Sequence, residues 1–194
     1  MLDQTIRRFV QPSIDGFGDA LSRLGISANI VTILGFGCGL GAAAAIADER
    51  NDIGLALFVL NRLADLVDGA IARRRGPTTL GAFLDASLDF IVYAAIPFGF
   101  ALAHPQNALA AAFLLFGLMV STAPALAFRA FSQTPMRGFS LCEHGETFIA
   151  FALMCLAPRW MFTVLAYLYG ALCLVSGGVR IIAAMTKFSA PAKS

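Results

Sequence analysis

Residues 65–89 read DLVDGAIARRRGPTTLGAFLDASLD, and this segment decides the fold. It contains two pairs of aspartates, Asp65 with Asp68 and Asp85 with Asp89. Residues three or four positions apart lie on one face of an α-helix, so each pair predicts a helix with two carboxylates on the same side. The basic segment between the pairs is rich in turn-forming residues, so we expect a helical hairpin that brings the four carboxylates together.

The sequence on both sides of these aspartates is strongly apolar. Four carboxylates in apolar surroundings are very unfavourable unless cations neutralise them. Ligation by oxygen atoms alone suits a hard ion such as Mg²⁺ or Mn²⁺. Because two such ions suit phosphate chemistry, the segment predicts a site for two divalent cations, Mg²⁺ or Mn²⁺.

The composition predicts an integral membrane protein. Of the 194 residues, 58% are hydrophobic and only 13% are charged, and the mean hydropathy is +0.76. A soluble domain carries about 25% charged residues, so an ordinary soluble domain is excluded. We predict an all-α, polytopic membrane protein with six transmembrane helices, preceded by an N-terminal amphipathic interfacial helix, and no nucleic-acid partner.

Hydropathy places the six spans at about 27–47, 53–73, 80–103, 108–128, 147–157 and 160–183. The fifth is too short alone, so we expect it to begin near Phe139. Residues 1–26 carry apolar side chains at helical spacing and charges on the other faces, which favours a helix in the membrane interface over a cap packed on the membrane domain. The predicted organisation is an interfacial helix (1–26), one six-span domain (27–186) and a flexible tail (187–194).

Basic residues predict the orientation in a bacterial-type cytoplasmic membrane, because they are enriched on the cytoplasmic side. With the N-terminus in the cytoplasm, ten arginines and lysines fall on that side and only Arg50 and Arg159 on the other. The aspartate hairpin then lies at the cytoplasmic ends of spans two and three. Soluble nucleotides would reach the site from there.

Three features inside the spans carry further expectations. Two G-x-x-x-G pairs, Gly35/Gly39 and Gly37/Gly41, predict close helix packing in the first span. Arg62 lies one turn before the first aspartate, so we expect it to pair with Asp65 or another acid, or to face a polar cavity.

The aspartate segment resembles the signature of the CDP-alcohol phosphotransferases, integral membrane enzymes of phospholipid synthesis. Its pattern is D-x-x-D-G-x-x-A-R, a spacer, and G-x-x-x-D-x-x-x-D, which is matched by Asp65, Asp68, Gly69, Ala72, Arg73, Gly81, Asp85 and Asp89. The spacer from Arg74 to Leu80 has seven residues where the family usually has eight, so we expect a shorter loop around an intact site. Asn29 and Thr32 also match an N-x-x-T element that the family often carries.

The resemblance implies that a phosphatidyl group passes from a CDP-linked donor, such as CDP-diacylglycerol, to an alcohol acceptor with release of CMP. It implies Asp65, Asp68 and Asp85 as metal ligands, and Asp89 as general base and further ligand. It also implies a homodimer in which CDP is bound by Gly69, Ala72, Arg73, Gly81, Asn29 and Thr32.

Arg129, Arg137 and Arg180 are candidates for binding a phosphorylated acceptor, because they lie on the predicted cytoplasmic side. The alternative is that these arginines only anchor the helices at the membrane surface.

Two other functions fit the acidic helices less well. Intramembrane prenyltransferases also bind a diphosphate through magnesium, but their aspartates lie on helices far apart in sequence. A cation transporter or a degenerate scaffold would carry acids in its spans. It would not need the glycines, the alanine and the arginine of the pattern.

Overall fold

The computed structural model describes residues 14–132 and 144–189, and the regular elements in these ranges are all helices. Helix α1 covers residues 14–23. The other bounds are α2 Ala28–Ala47, α3 Asn51–Arg75, α4 Thr79–Ala103, a 3₁₀ turn Pro105–Asn107, α5 Ala108–Ser132, α6 His144–Leu156 and α7 Met161–Ser189. The predicted all-α class is confirmed, and each predicted span overlaps one of the helices α2 to α7.

Four of the described helical stretches are long and apolar enough to cross a membrane: Ala28–Ala47, Thr79–Ala103, Pro105–Ser132 and Met161–Ser189. Helix α3 is not among them because it carries more charged residues than these stretches do. Helix α6 is not among them because it is short within the described part of the chain. The expected start of the fifth span near Phe139 lies outside the described residues. The count of six spans therefore stays a prediction.

The described residues form two compact units, divided between Pro105 and Gln106. In the second unit α5 packs against α7, and α6 also contacts α7. The backbones of α5 and α7 come close where a Cβ atom on Gly117 would meet the carbonyl oxygen of Gly170 at 2.5 Å. Helix α7 continues to Ser189, so the predicted tail 187–194 begins inside this helix, and its remaining residues lie outside the described part.

In the first unit α2 is the helix on which the others are arranged. Both α3 and α4 pack more extensively against α2 than against each other. A Cβ atom on Gly35 would lie 2.7 Å from the Cβ of Ala64 in α3, and one on Gly39 would collide with Val92 in α4. These two glycines lie one turn apart on the same face of α2. They allow α3 and α4 to approach α2 at neighbouring positions, with a cleft between α3 and α4.

The second G-x-x-x-G pair does not make comparably close contacts. Among the described residues, nothing lies within 4 Å of a Cβ built on Gly37, and Gly41 would make an ordinary contact of 3.4 Å with Leu57. Among the four glycines of α2, close packing against the described residues is thus a property of Gly35 and Gly39.

The turn between α3 and α4 is short and well defined. Helix α3 ends at Arg75 and is followed by Gly76, whose φ of +93° is a conformation that favours glycine. Pro77 follows, and the hydroxyl of Thr78 caps α4 by accepting a hydrogen bond of 3.0 Å from the amide of Gly81. The shorter spacer therefore still forms a closed helical hairpin.

Helix α1 packs against the C-terminal half of α3. Ile14 forms a buried cluster with Val67, Ala70 and Ile71. A Cβ atom on Gly18 would lie 2.9 Å from the Cβ of Ala70, so the two helices approach closely. This contact supports the alternative in which the N-terminal segment packs on the membrane domain. That the segment lies in a membrane interface stays a prediction.

Polar contacts reinforce this docking at the end of α3. Arg73 pairs with Asp15 at 3.2 Å, and Arg74 pairs with Asp19. Arg75 donates a hydrogen bond of 2.9 Å from Nε to the hydroxyl of Ser22. Because the arginine side chains are about half exposed, each pair is worth at most about 1 kcal/mol.

The close approach at Gly35 predicts that Gly35→Leu destabilises the protein. The new side chain has no space against the rigid Cβ of Ala64, so we expect the free energy of unfolding to fall by about 1–3 kcal/mol. Thermal unfolding in detergent would measure the loss. Gly37→Leu is the matched control and should melt within a few degrees of wild type; equal losses in both variants would contradict the packing described here.

The contact at Gly18 predicts that Gly18→Leu loosens α1 from α3. We expect tryptic cleavage after Arg23 to become about tenfold faster, as a loss of ~1.4 kcal/mol in docking would produce. Gly16→Leu is the control, because a Cβ there meets nothing within 4 Å among the described residues. Unchanged cleavage in Gly18→Leu would show that this contact does not hold α1.

Candidate active site

Three of the four predicted aspartates form a compact cluster. Asp65 and Asp68 come from α3, and Asp85 comes from α4. One carboxylate oxygen from each lies within 4.8 Å of the others, and no other such group of acidic, histidine or cysteine side chains is found in the described residues. Asp68 is buried and Asp85 is exposed, so the cluster runs from the interior of the cleft to its opening.

Helix α2 supplies a hydrogen bond to this cluster. The hydroxyl of Thr32 lies 2.6 Å from Oδ2 of Asp68 and 3.0 Å from the carbonyl oxygen of Ala28. A hydroxyl has one proton to donate, so the shorter contact indicates that it goes to the carboxylate. Thr32 thereby fixes the orientation of the buried Asp68.

The fourth aspartate, Asp89, lies in the same pocket but contacts a cation of the protein itself. Its Oδ2 accepts a hydrogen bond of 3.2 Å from Nη1 of Arg62, and its Oδ1 accepts a shorter one from Nη2. The expectation that Arg62 pairs with an acid is therefore met by Asp89. The carboxylate and guanidinium are both mostly buried, with 15% and 11% of the side chains exposed.

Two further residues, which the sequence analysis did not single out, hold Arg62 in place. Nη1 also donates to the hydroxyl of Tyr93 at 2.8 Å, and Nε donates to Oδ1 of Asn61 at 2.9 Å. Asn61 is itself fixed, because its Nδ2 donates to the carbonyl oxygen of Gly35 at 2.9 Å. A signal for both was present, since Asn61 is a lone amide in an apolar run and Tyr93 lies one helical turn after Asp89.

The pocket between the three helices contains all four aspartates. It is lined by Thr32, Gly35, Phe36, Asn61, Asp65, Asp68, Asp85, Leu88, Asp89 and Val92. Its enclosed volume is ≈ 10 Å³, which is about the volume that holds one water molecule. An ion fits among the carboxylates, whereas a nucleotide must bind at the mouth.

Thr32 lines this pocket, and two contacts involve other residues that are expected to bind CDP. A Cβ on Gly81 would lie 3.1 Å from Oδ1 of Asn29, so the start of α4 adjoins the start of α2. A Cβ on Gly69 would lie 3.3 Å from Nη1 of Arg73. At both glycines a larger side chain would press on the neighbouring polar group.

Two of the three arginines that were considered for binding the acceptor lie in the described part of the chain. Nη1 of Arg180 donates a hydrogen bond of 2.6 Å to the carbonyl oxygen of Ser121, within the second unit. Arg129 lies in the last turns of α5. Arg137 lies outside the described residues.

The donor atoms of the acidic cluster fit a divalent metal ion. They are carboxylate oxygens only, they come from two different helices, and one of them is buried and oriented by a hydrogen bond. Hard ions such as Mg²⁺ and Mn²⁺ prefer such ligands.

Comparison with known proteins agrees with this geometry. The family model for CDP-alcohol phosphatidyltransferase matches residues 25–186. The chain belongs to this family. The inner membrane protein YnjF of Escherichia coli strain K12 is 39% identical to it, over 93% of this chain and 94% of the relative. The phosphatidylinositol phosphate synthase of Streptomyces avermitilis is also 39% identical, but over 53% of this chain and 43% of that protein.

Solved structures show the same fold. The Mycobacterium tuberculosis phosphatidylinositol phosphate synthase PgsA1, crystallised with CDP-DAG bound, superimposes with a TM-score of 0.78 at 22% identity, covering 92% of this chain and 95% of that one. The same enzyme in complex with manganese and citrate gives a TM-score of 0.76.

Membership of the CDP-alcohol phosphatidyltransferase family makes this chain a membrane transferase of phospholipid synthesis. It moves a phosphatidyl group from a CDP-linked donor to an alcohol acceptor, and its acidic cluster identifies divalent cations as the cofactor. The prenyltransferase, transporter and scaffold alternatives are thereby excluded.

The hydrogen bond from Thr32 predicts that Thr32→Val weakens metal binding. Valine has nearly the same shape but no hydroxyl, so Asp68 loses its orienting donor. Changes to groups that orient metal ligands typically cost 10- to 100-fold, and we expect Mn²⁺ affinity, measured by titration calorimetry, to fall by about tenfold. Thr32→Ser keeps the hydroxyl and should bind Mn²⁺ within about threefold of wild type. An equal loss in both variants would argue against the hydrogen bond as the cause.

Proposed function

We propose that this enzyme transfers the phosphatidyl group of CDP-diacylglycerol to the hydroxyl of a small alcohol, with Asp65, Asp68 and Asp85 as metal ligands and Asp89 as general base and further ligand. The observation that carries the proposal is the division of the four aspartates. Three present oxygens within 4.8 Å of one another, and the fourth is held beside them by Arg62. The donor is supported by the CDP-DAG complex of the mycobacterial enzyme of the same fold.

The aspartate cluster supplies the ligands for two divalent cations, Mg²⁺ or Mn²⁺. When bound, such ions neutralise a diphosphate and polarise its phosphoryl oxygens. The protein positions these carboxylates before a cation binds. Thr32 orients Asp68 through a hydrogen bond, and the helical hairpin places Asp85 opposite α3.

Asp89 is held beside the cluster by Arg62, and each of its oxygens keeps a lone pair for an acceptor proton or a metal ion. The acceptor hydroxyl gives its proton to a carboxylate oxygen of Asp89 as its own oxygen attacks the phosphorus distal to cytidine. A new P–O bond forms to the acceptor, the P–O bond to the leaving phosphate breaks, and CMP departs.

The nucleotide is proposed to bind at the mouth of the pocket, through Gly69, Ala72, Arg73, Gly81, Asn29 and Thr32. At the two glycines no side chain separates the helix backbone from the neighbouring polar groups, and Arg73 offers a cation for a phosphate oxygen. In this proposal the mouth faces the ends of α3 and α4 that meet in the short turn. The positive-inside pattern supports a cytoplasmic location for this end.

For the acceptor, a phosphorylated polyol is the first class to test. The support is the name of the Streptomyces relative, a phosphatidylinositol phosphate synthase, and three arginines, Arg129, Arg137 and Arg180, that suit a phosphate. We also propose that residues 27–186 form one domain with six transmembrane helices, and that the protein is a homodimer.

The base assignment predicts that Asp89→Asn abolishes transfer and leaves the fold intact. Asparagine has the same shape but cannot take the proton, so CMP release should fall by at least about 100-fold. Purified protein with Mn²⁺ and CDP-diacylglycerol would be offered glycerol 3-phosphate, inositol phosphate, serine and choline-type acceptors. Thermal unfolding would verify that the variant is folded.

Asp52→Asn is the matched control, because Asp52 is an exposed acid in the first turn of the same helix that carries Asp65. It should retain wild-type turnover. Near-normal turnover in Asp89→Asn would refute Asp89 as the base, and absence of CMP release by the wild type with every acceptor would refute the proposed donor.

A further inference from the structure

The lining of the aspartate pocket is strongly unbalanced in charge. It contains four aspartates and no lysine or arginine in the part of the chain that the structure describes. A cation does contact this lining from behind, because Nη1 and Nη2 of Arg62 both donate hydrogen bonds to Asp89. An arginine placed so deep in an apolar helix is costly unless it is needed. The family pattern does not specify it, so the geometry has to supply its role.

The surroundings of Arg62 favour its positive charge. A guanidinium stays protonated in proteins, and the rings of Phe58 and Tyr93 lie 5.8 and 5.0 Å from its central carbon, within reach of a cation–π contact. The hydroxyl of Tyr93 and Oδ1 of Asn61 accept hydrogen bonds of 2.8 and 2.9 Å from it. Only 11% of the side chain is exposed, so water and salt screen this charge weakly.

The balance of charge in the pocket changes when the two proposed cations are bound. Two divalent ions carry four positive charges, and the four ionised aspartates carry four negative ones, so these charges cancel. The hydrogen bonds from Arg62 leave lone pairs on both oxygens of Asp89 for a metal ion or a proton. The charge of Arg62 therefore remains as a surplus, and the metal-loaded pocket is positive where it would otherwise be neutral.

This surplus charge acts in opposite directions on the two kinds of ligand. It repels a divalent cation, so the metal-free pocket binds Mn²⁺ less tightly with Arg62 than it would without it. It attracts the diphosphate of the donor, because a pocket with one sign of charge and apolar walls concentrates its field at the opening. Arg62 does not have to touch the nucleotide for this effect, since its charge is weakly screened.

We propose that the buried charge of Arg62 makes the metal-loaded pocket positive, and that this surplus charge strengthens binding of the donor's diphosphate while it weakens binding of the metal ions. The inference deepens the proposed function and rests on it, because it takes the diphosphate to bind beside ions held by the aspartates. It assigns to Arg62 an electrostatic role in the donor site.

Arg62→Gln tests both effects, because it removes the charge and keeps a polar side chain. The affinity for Mn²⁺ without nucleotide, measured by titration calorimetry, should rise by about tenfold. The affinity of the Mn²⁺-saturated variant for CDP should fall by about tenfold. Any other combination of changes would overturn the proposal, and a fall in both affinities is the result that a simple loss of structure would give.

Arg62→Lys retains the positive charge but not the planar fork of the guanidinium. It should bind Mn²⁺ and CDP within about threefold of wild type, because the proposed role depends on charge. A larger loss of either affinity would show that the shape of the guanidinium is required and would overturn the proposal. This variant keeps the test decisive if thermal unfolding shows that Arg62→Gln does not fold.

Arg50→Gln is the matched control, since it removes the same charge from the exposed N-cap of the same helix. Both affinities should stay within about twofold of wild type, because an exposed and distant charge is screened. Changes as large as those in Arg62→Gln would assign the effect to the net charge of the protein. Absence of CDP binding by the Mn²⁺-loaded wild type would refute the proposed donor, whereas an unchanged Mn²⁺ affinity in Arg62→Gln would refute the role of Arg62 alone.

Discussion

The constraint on which this structure depends is the presence of four carboxylates inside an apolar helical protein. Burial penalises the ionised form of each carboxylate, and the four negative charges repel one another. The protein separates the problem into two parts. Asp89 receives an internal counter-charge from Arg62, while Asp65, Asp68 and Asp85 form a cluster whose oxygens suit divalent ions.

The arrangement of α2 makes this division possible. Helices α3 and α4 are consecutive and joined by a tight turn, yet each packs against α2 rather than closely along the other. Gly35 and Gly39 allow the two approaches at neighbouring positions on one face of α2, and the polar pocket lies between α3 and α4. Helix α2 also reaches into the site itself, through Thr32 to Asp68 and through the carbonyl of Gly35 to Asn61.

Much of the fold was predictable because its determinants are local. Long apolar runs specify the helices, and i to i+3 or i+4 spacing puts each aspartate pair on one face. The partner of Arg62 was not predictable from spacing, since Asp65 is nearer in sequence but Asp89 is nearer in space. The same limit applies to the glycines of α2: their sequence pattern is identical, and only the positions of the neighbouring helices distinguish Gly35 and Gly39 from Gly37 and Gly41.

The contact between Arg73 and Asp15 has a consequence for ligand exchange at the end of α3. Asp15 presents to this arginine the same kind of anionic oxygen that a phosphate would present. The pair is largely exposed, so replacing one anion by another costs little free energy. A nucleotide that engaged Arg73 would thus release one tether of the first helix, and occupancy of the site would be thermodynamically linked to how firmly the N-terminal segment is held.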